Sequence, residues 1–357
     1  MSSAEPPITE WDPTPILDER LLRGKPYRFS LVILNQPIHN VPLFLDLWRR
    51  ATVRIAADGG ANRVYAIRDH LPPPPPGVAQ GFPRLDFIVG DLDSLQDETK
   101  AWFLSQWSDS NKTTESGADA DANADADACP GQIIYIDDQD SADFAKAVKH
   151  ARELARRRRR SRHASRREQR LEAEKEEGEE ENGDDIICYS GLGGRVDQAM
   201  SQLHHLYLFQ QRRQRRQSSA SSPEGGGGGG GENEGEEKDD DNNNGYASGR
   251  MYLTNGESLT FVLLAGQHHI RIRSISRQHN PNPNNSKPLA FGKHVGIIPL
   301  AGPSELTTRG LQWDVSRWRT AFGERLSTSN HTTAGADVVE VETSRDVLFT
   351  IDVPVSD

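Results

Sequence analysis

Up to about residue 209, apolar runs of four or five residues alternate with stretches whose apolar positions recur every three or four residues. The first pattern is that of buried strands and the second that of one-sided helices. Strands are expected over 30–34, 54–57, 87–89, 133–136 and 186–189, followed in turn by helices over 41–50, 61–69, 97–106, 143–154 and 196–209. Strand and helix in alternation imply a parallel sheet with helices on both faces. After Arg250 the rhythm changes to short strands, over 251–254, 258–264, 269–274, 295–299, 338–342 and 347–353, with weak helical periodicity. This second part is expected to be an antiparallel sandwich of the jelly-roll kind. The expected class is therefore α/β plus all-β.

Between the patterned stretches lie segments with almost nothing to bury. Residues 72–76 are all proline, a polyproline II spacer. Residues 108–128 alternate Asp, Ala and Asn and are expected to be disordered. An arginine-rich run, 152–170, precedes an acidic counterpart, 172–185, and the pair could extend the helix that begins near Asp143. Residues 210–249 contain a glycine run and an acidic, Asn-rich tract and read as a flexible linker, and a shorter polar loop spans 279–287. The expected division is an N-terminal extension (1–28), an α/β domain (29–210) with inserts near 71–82, 107–130 and 152–185, a linker (211–249) and a sandwich domain (250–357).

Composition refines this division. Only 34% of the residues are hydrophobic, which reflects compact domains diluted by polar inserts. A net charge of −11 gives no overall pull towards nucleic acid or an anionic membrane, and the arginine run reads as a solvated insert neutralised by its glutamates. The two cysteines, Cys129 and Cys188, argue against a disulfide scaffold and fit a reducing compartment. Residues 1–15 are polar and contain proline, and no stretch approaches the roughly 20 apolar residues of a membrane span. A soluble, cytoplasmic protein is expected.

The chemistry sits at strand ends, where open α/β sheets bind ligands. The second strand leads into Asp58-Gly59-Gly60-Ala61-Asn62 and the third into Gly90-Asp91-Leu92-Asp93-Ser94. The fourth leads into a loop carrying Gln139 and then Asp143-Phe144-Ala145-Lys146, and the fifth into Gly191-Leu192-Gly193-Gly194-Arg195-Val196-Asp197-Gln198. Carboxylates at four successive strand ends repel one another unless a cation sits between them. Mg²⁺ suits that role, because it takes a few carboxylates and completes its shell with water and phosphate oxygens. Gly59, Gly60, Gly193 and Gly194 let backbone N–H groups approach an anion, and Arg195 offers a forked cation for phosphate. Each element alone has a bland reading, as a turn, a helix cap or a structural ion pair. Their shared position after strands points to one site for a nucleotide and a metal.

These segments, in this order, resemble the thiamine pyrophosphokinase family. The resemblance continues through Thr307-Thr308-Arg309-Gly310-Leu311-Gln312-Trp313-Asp314 and Leu326-Ser327-Thr328-Ser329-Asn330, and covers about 29–353 apart from the inserts. It implies a homodimer whose thiamine site lies between the catalytic domain of one subunit and the sandwich of the other. It implies Mg²⁺-dependent transfer of the terminal diphosphoryl group of ATP to the thiamine hydroxyl, by in-line attack at the β-phosphorus with release of AMP. Asp91 and Asp93 would hold the metal, with Asp143 as a further ligand and Asp58 close by. Arg195 and Asp197 would serve the nucleotide, together with Gly59, Gly60, Asn62, Lys146, Gly193, Gly194 and Gln198. Trp313 would stack on thiamine, and Gln139, Ser329 and Asn330 would contact or orient it. Ala142 departs from the family pattern, which has Thr there, and so do His204 and His205 after Gln198. Two other readings use part of this inventory: a Mg²⁺-dependent phosphatase or nucleotide hydrolase, and a non-catalytic carbohydrate- or small-molecule-binding protein.

Overall fold

The computed structural model describes residues 7–17, 27–71, 84–112, 131–169, 184–210, 249–273 and 291–354. The proline run, the linker 211–248, the loop 279–287 and the larger parts of the inserts expected at 108–128 and 172–185 lie outside the described residues. In chain order the elements begin with β1 (Ile8–Trp11), α1 (Thr14–Leu17), β2 (Phe29–Ile33), α2 (Val41–Arg50), β3 (Val53–Ala57) and α3 (Gly60–Ala66). There follow β4 (Phe87–Gly90), α4 (Asp97–Lys112), β5 (Gln132–Tyr135), α5 (Asp143–Gln169), β6 (Asp185–Tyr189) and α6 (Val196–Gln210). The remainder is all strand: β7 (Met251–Thr254), β8 (Ser258–Leu263), β9 (Gly266–Arg271), β10 (His294–Ile298), β11 (Ser304–Arg309), β12 (Trp318–Thr320), β13 (Ser327–His331), β14 (Val338–Thr343) and β15 (Val347–Asp352).

Every residue of β2, β3 and β4 is buried, as strands covered on both faces must be. They pair in parallel with β5 and β6 in the order β6-β2-β3-β4-β5. The chain steps outward from β2 to β5 and then returns to the other side of β2, so the topological switch point lies between β2 and β6. Helix α2 starts where its sequence says it should. Asn40 accepts a hydrogen bond from the Leu43 N–H at 3.2 Å, and Pro42 sits in the first turn, where its missing N–H costs nothing.

The parallel sheet does not stop at residue 250. β7 joins β6 in parallel, and β8, β15, β10 and β13 follow in antiparallel pairing, giving one ten-stranded sheet ordered β13-β10-β15-β8-β7-β6-β2-β3-β4-β5. A five-stranded sheet, β1-β9-β14-β11-β12, supplies the sandwich's other layer. Ile270, Leu306, Val339 and Val341 from it share one core with Phe261, Val347 and Phe349.

The N-terminal extension and the end of α4 differ from what is expected, and α5 is long. The N-terminal extension contributes β1, which pairs in parallel with β9. Trp11 is fully buried there, its ring 4.6 Å from that of Phe261 and its indole N–H donating to His268 Nδ1 at 3.1 Å. Helix α5 runs to Gln169, through the arginine-rich run that could extend it, and α4 runs to Lys112, into a stretch expected as an insert. Arginine, alanine and glutamate are strong helix formers, so intrinsic preference carries α5 past Leu154, where the apolar face ends. Among the described residues, no helix is long and apolar enough to cross a membrane.

Candidate functional site

The C-terminal ends of β3, β4 and the start of α5 bring three carboxylates together. One oxygen each from Asp58, Asp91 and Asp143 lies within 4.8 Å of the others. Gly90 makes this approach possible. A Cβ there would stand 2.8 Å from the Asp58 Cβ and 2.9 Å from Asp143 Oδ1, so any side chain would push the cluster apart. The fourth charge in the cluster is Lys146, one turn into α5. Its side chain is buried, with Nζ 3.0 Å from Asp143 Oδ1 and 3.3 Å from Asp91 Oδ2. Burial alone would lower the Lys146 pKa. The bonds and charges of Asp143 and Asp91 outweigh it and hold the ammonium above its ordinary value.

Asp58 is 2% exposed and adopts the left-handed conformation at φ 42°. Its Oδ2 accepts the Ser94 N–H at 3.0 Å, whereas Oδ1 is buried with no hydrogen-bond partner among the described residues. Burial raises its pKa to about 6; the Ser94 bond opposes the shift, and the negative charge of Asp143 and a contact with Asp93 add to it. An ordinary Asp ionises near 3.8, so between about pH 4 and 6 the unfolded chain has released this proton while the folded one still holds it. The stability this group contributes is therefore complete below about pH 3.8 and lost as pH rises through about 6. Thermal melts in chelator should show wild type losing stability relative to Asp58→Asn across that window. Parallel curves for the two proteins would contradict the raised pKa.

Asp93 is not one of the three converging carboxylates but touches Asp58 from the side; it is exposed and accepts from the Ser94 hydroxyl at 3.0 Å. Asn62 has both side-chain groups engaged. Its amide donates to the Ser94 carbonyl at 2.7 Å and its oxygen accepts the Gln96 N–H at 3.1 Å. It pins the Asp91–Ser94 loop against α3. Gly60 could not carry a side chain, since a Cβ would lie 2.2 Å from the Ile33 carbonyl oxygen.

At the switch point the glycine loop after β6 faces Gln36, and the glycine pair after β3 faces Asn35, both residues lying just beyond β2. A Cβ on Gly194, itself at φ 68°, would meet the Gln36 amide at 2.7 Å, and one on Gly59 would meet Asn35 Nδ2 at 2.3 Å. Sequence reasoning passed over Asn35 and Gln36, because only strand order marks their position. Arg195 and Asp197 are exposed and form a two-point ion pair, at 3.1 and 2.5 Å. That pairing raises the Arg195 pKa and lowers that of Asp197. Gln139, in the loop after β5, and Gln198, in the first turn of α6, are both exposed.

The departures at Ala142, His204 and His205 have local consequences only. Ala142 precedes α5 and offers no side-chain cap, a loss of about 1 kcal/mol relative to Ser or Thr. His205 is half-buried, its ring 5.6 Å from that of Phe144.

The second cluster lies far along the sheet. Asn330, buried on β13, donates to the Trp313 carbonyl at 3.0 Å and accepts the Trp313 N–H at 3.2 Å. This reciprocal clamp fixes the loop while the Trp313 side chain stays outside the core, with 55% of the residue exposed. Trp313 is therefore not a core residue. Ser329 is exposed beside it with φ 55°. Of the six left-handed non-glycine residues described, Asp58, Leu92, Ser190, Leu192 and Arg317 fall in these loops and Ser329 in β13 beside them. Such backbone strain gathers where surrounding structure holds a functional geometry.

The carboxylate trio fits a divalent cation. Three carboxylate oxygens converge, and among the described residues one buried oxygen of Asp58 lacks a partner and one ammonium, that of Lys146, faces the three carboxylates.

Comparison with known proteins gives a consistent result. Residues 44–217 match the family described as thiamin pyrophosphokinase, catalytic domain, and residues 267–348 match thiamin pyrophosphokinase, vitamin B1 binding domain. The chain is 26% identical over 326 residues to thiamine pyrophosphokinase 3 of Oryza sativa subsp. japonica, covering 90% of this chain and 86% of that one. It is 25% identical over 330 residues to thiamine pyrophosphokinase 2 of Arabidopsis thaliana, covering 91% and 86%. Its fold is similar to that of yeast thiamin pyrophosphokinase, with a TM-score of 0.59 at 19% identity over 97% of this chain and 92% of that one.

Proposed function

The chain belongs to the thiamine pyrophosphokinase family, and from that premise we propose that it transfers the terminal diphosphoryl group of ATP to the hydroxyl of thiamine, releasing AMP. The observation that carries this reading is the Asp58–Asp91–Asp143 cluster with its buried Lys146, set beside the switch point of a parallel sheet. Strand-end loops from β6 to β5 span about 19 Å, taking four spacings of roughly 4.8 Å, enough for a nucleotide laid across them.

Asp91 and Asp143 would hold Mg²⁺ with Asp58, and Asp93 lies on the same loop to reach it through water. The bound ion would neutralise charge on the phosphoryl oxygens. Lys146 holds Asp91 and Asp143 in place, and Asn62 fixes the loop that carries Asp91 and Asp93. Gly59, Gly60, Gly193 and Gly194 expose backbone to the phosphates. Arg195 can exchange its bonds to Asp197 for phosphate oxygens without leaving the surface. The thiamine hydroxyl attacks the β-phosphorus, the bond from that phosphorus to the α,β-bridging oxygen breaks, and AMP departs with the oxygen. Such a reaction needs alignment and charge neutralisation more than a covalent nucleophile.

Trp313, Ser329 and Asn330 are assigned to thiamine, a flat cation suited to an aromatic wall. Strand order supports a homodimer with shared sites. β13, which clamps the Trp313 loop, and β4, which carries Asp91, are eight strand spacings apart, about 38 Å along the sheet. One thiamine molecule cannot bridge that distance within a subunit, so a second copy brings its Trp313 loop to the carboxylates. A hydrolase would use the same carboxylates but gives no role to Trp313. An assay of AMP release from ATP with and without thiamine tests the proposal. AMP should form only when thiamine is present, and thiamine-independent release would favour the hydrolase.

A further inference from the structure

Three aromatic rings stand in a row at the sandwich edge. The Trp313 ring lies 5.1 Å from that of His331, tilted by 46°. His331 in turn packs edge-on against His294, at 5.0 Å and 70°. The two histidines are cross-strand partners on β13 and β10, so backbone pairing sets their spacing. Each is held at its ring nitrogen. His331 Nδ1 is 2.9 Å from Gln312 Oε1, and a carbonyl oxygen can only accept, so Nδ1 carries the hydrogen. His294 Nδ1 is bonded to Asp352 Oδ2 at 3.1 Å. The backbone closes the unit, since the Gln312 N–H donates to the His331 carbonyl at 2.7 Å and Asn330 Oδ1 accepts from both Trp313 N–H and His331 N–H.

The Asn330 clamp fixes the backbone of Trp313 but not the angle of an indole that is more than half exposed. An exposed aromatic side chain has two side-chain torsions to lose on binding, and the neighbouring ring that restricts them is that of His331. We propose that His331 is a positioning residue for thiamine recognition: it braces the Trp313 indole from the side, with its own ring anchored by Gln312 and by His294, and so sets affinity for the aromatic cation without touching it. This rests on the reading that Trp313 stacks on thiamine. Preorganisation of this kind acts on the one substrate that meets the indole and leaves the nucleotide side untouched.

The test compares His331→Ala, His331→Phe, Trp313→Ala and the double variant Trp313→Ala/His331→Ala in the full-length protein. His331→Ala should raise the thiamine KM by about three- to tenfold, the worth of one ring–ring pair, with the ATP KM unchanged. His331→Phe, which keeps a ring against the indole, should stay within about twofold of wild type. In the double variant, loss of His331 should add nothing to loss of Trp313, because its effect passes through that ring. An unchanged thiamine KM in His331→Ala, alongside a raised one in Trp313→Ala, would overturn the bracing role and leave the stacking reading standing. An unchanged value in Trp313→Ala would remove both. A rise for both substrates, or full additivity in the double variant, would reduce His331 to a structural residue of the sheet edge.

Discussion

Asp91→Asn is expected to lower turnover by about a hundredfold or more, the scale of losing charge stabilisation in a transferring phosphoryl group. Asparagine keeps the shape of the side chain but removes one of the anionic oxygens that converge with Asp58 and Asp143. Folding should hardly change. Lys146 keeps its shorter bond to Asp143, at 3.0 Å, and the repulsion among the carboxylates falls. Turnover at saturating ATP and thiamine, measured with the melting temperature in chelator, separates the two effects. Near wild-type turnover would remove the metal role from Asp91.

The second large effect is a recovery. Asp91→Asn and Trp313→Ala proteins should each be impaired alone, yet co-refolding them should restore up to about a quarter of wild-type activity. With random pairing about half the dimers are mixed, and each mixed dimer owns one site with an intact carboxylate cluster and an intact indole. The strand order makes this a sharp test, because β4 and β13 stand near opposite edges of one sheet. No recovery, with subunit exchange demonstrated, would place both halves of the site in one chain.

Much of this arrangement was legible in the sequence because local signals and global fold agree. Helix α2 has the bounds its apolar period predicts, since Asn40 and Pro42 mark its start. The strand-end carboxylates announced themselves by following apolar runs. What escaped notice depended on distant pairing. β1 is four residues in a proline-containing segment, and it is a strand because β9, over 250 residues away, supplies its partner and Phe261 covers Trp11. β11 and β13 hold few large apolar residues and read as motifs rather than strands. Asn35 and Gln36 carry no signature of their own; the crossing of the chain from β5 to β6 gives them their place. Lys146 and Asn62 are both engaged by the carboxylate loops, contacts that spacing along the chain does not encode.

The central claim is that two phosphoryl groups move together from ATP to thiamine. Phosphorus NMR of the purified protein with ATP, Mg²⁺ and thiamine tests it directly. The account predicts AMP and thiamine diphosphate in equal amounts, with neither ADP nor thiamine monophosphate accumulating. ADP formed alongside thiamine monophosphate, or inorganic phosphate released from ATP without thiamine, would contradict it.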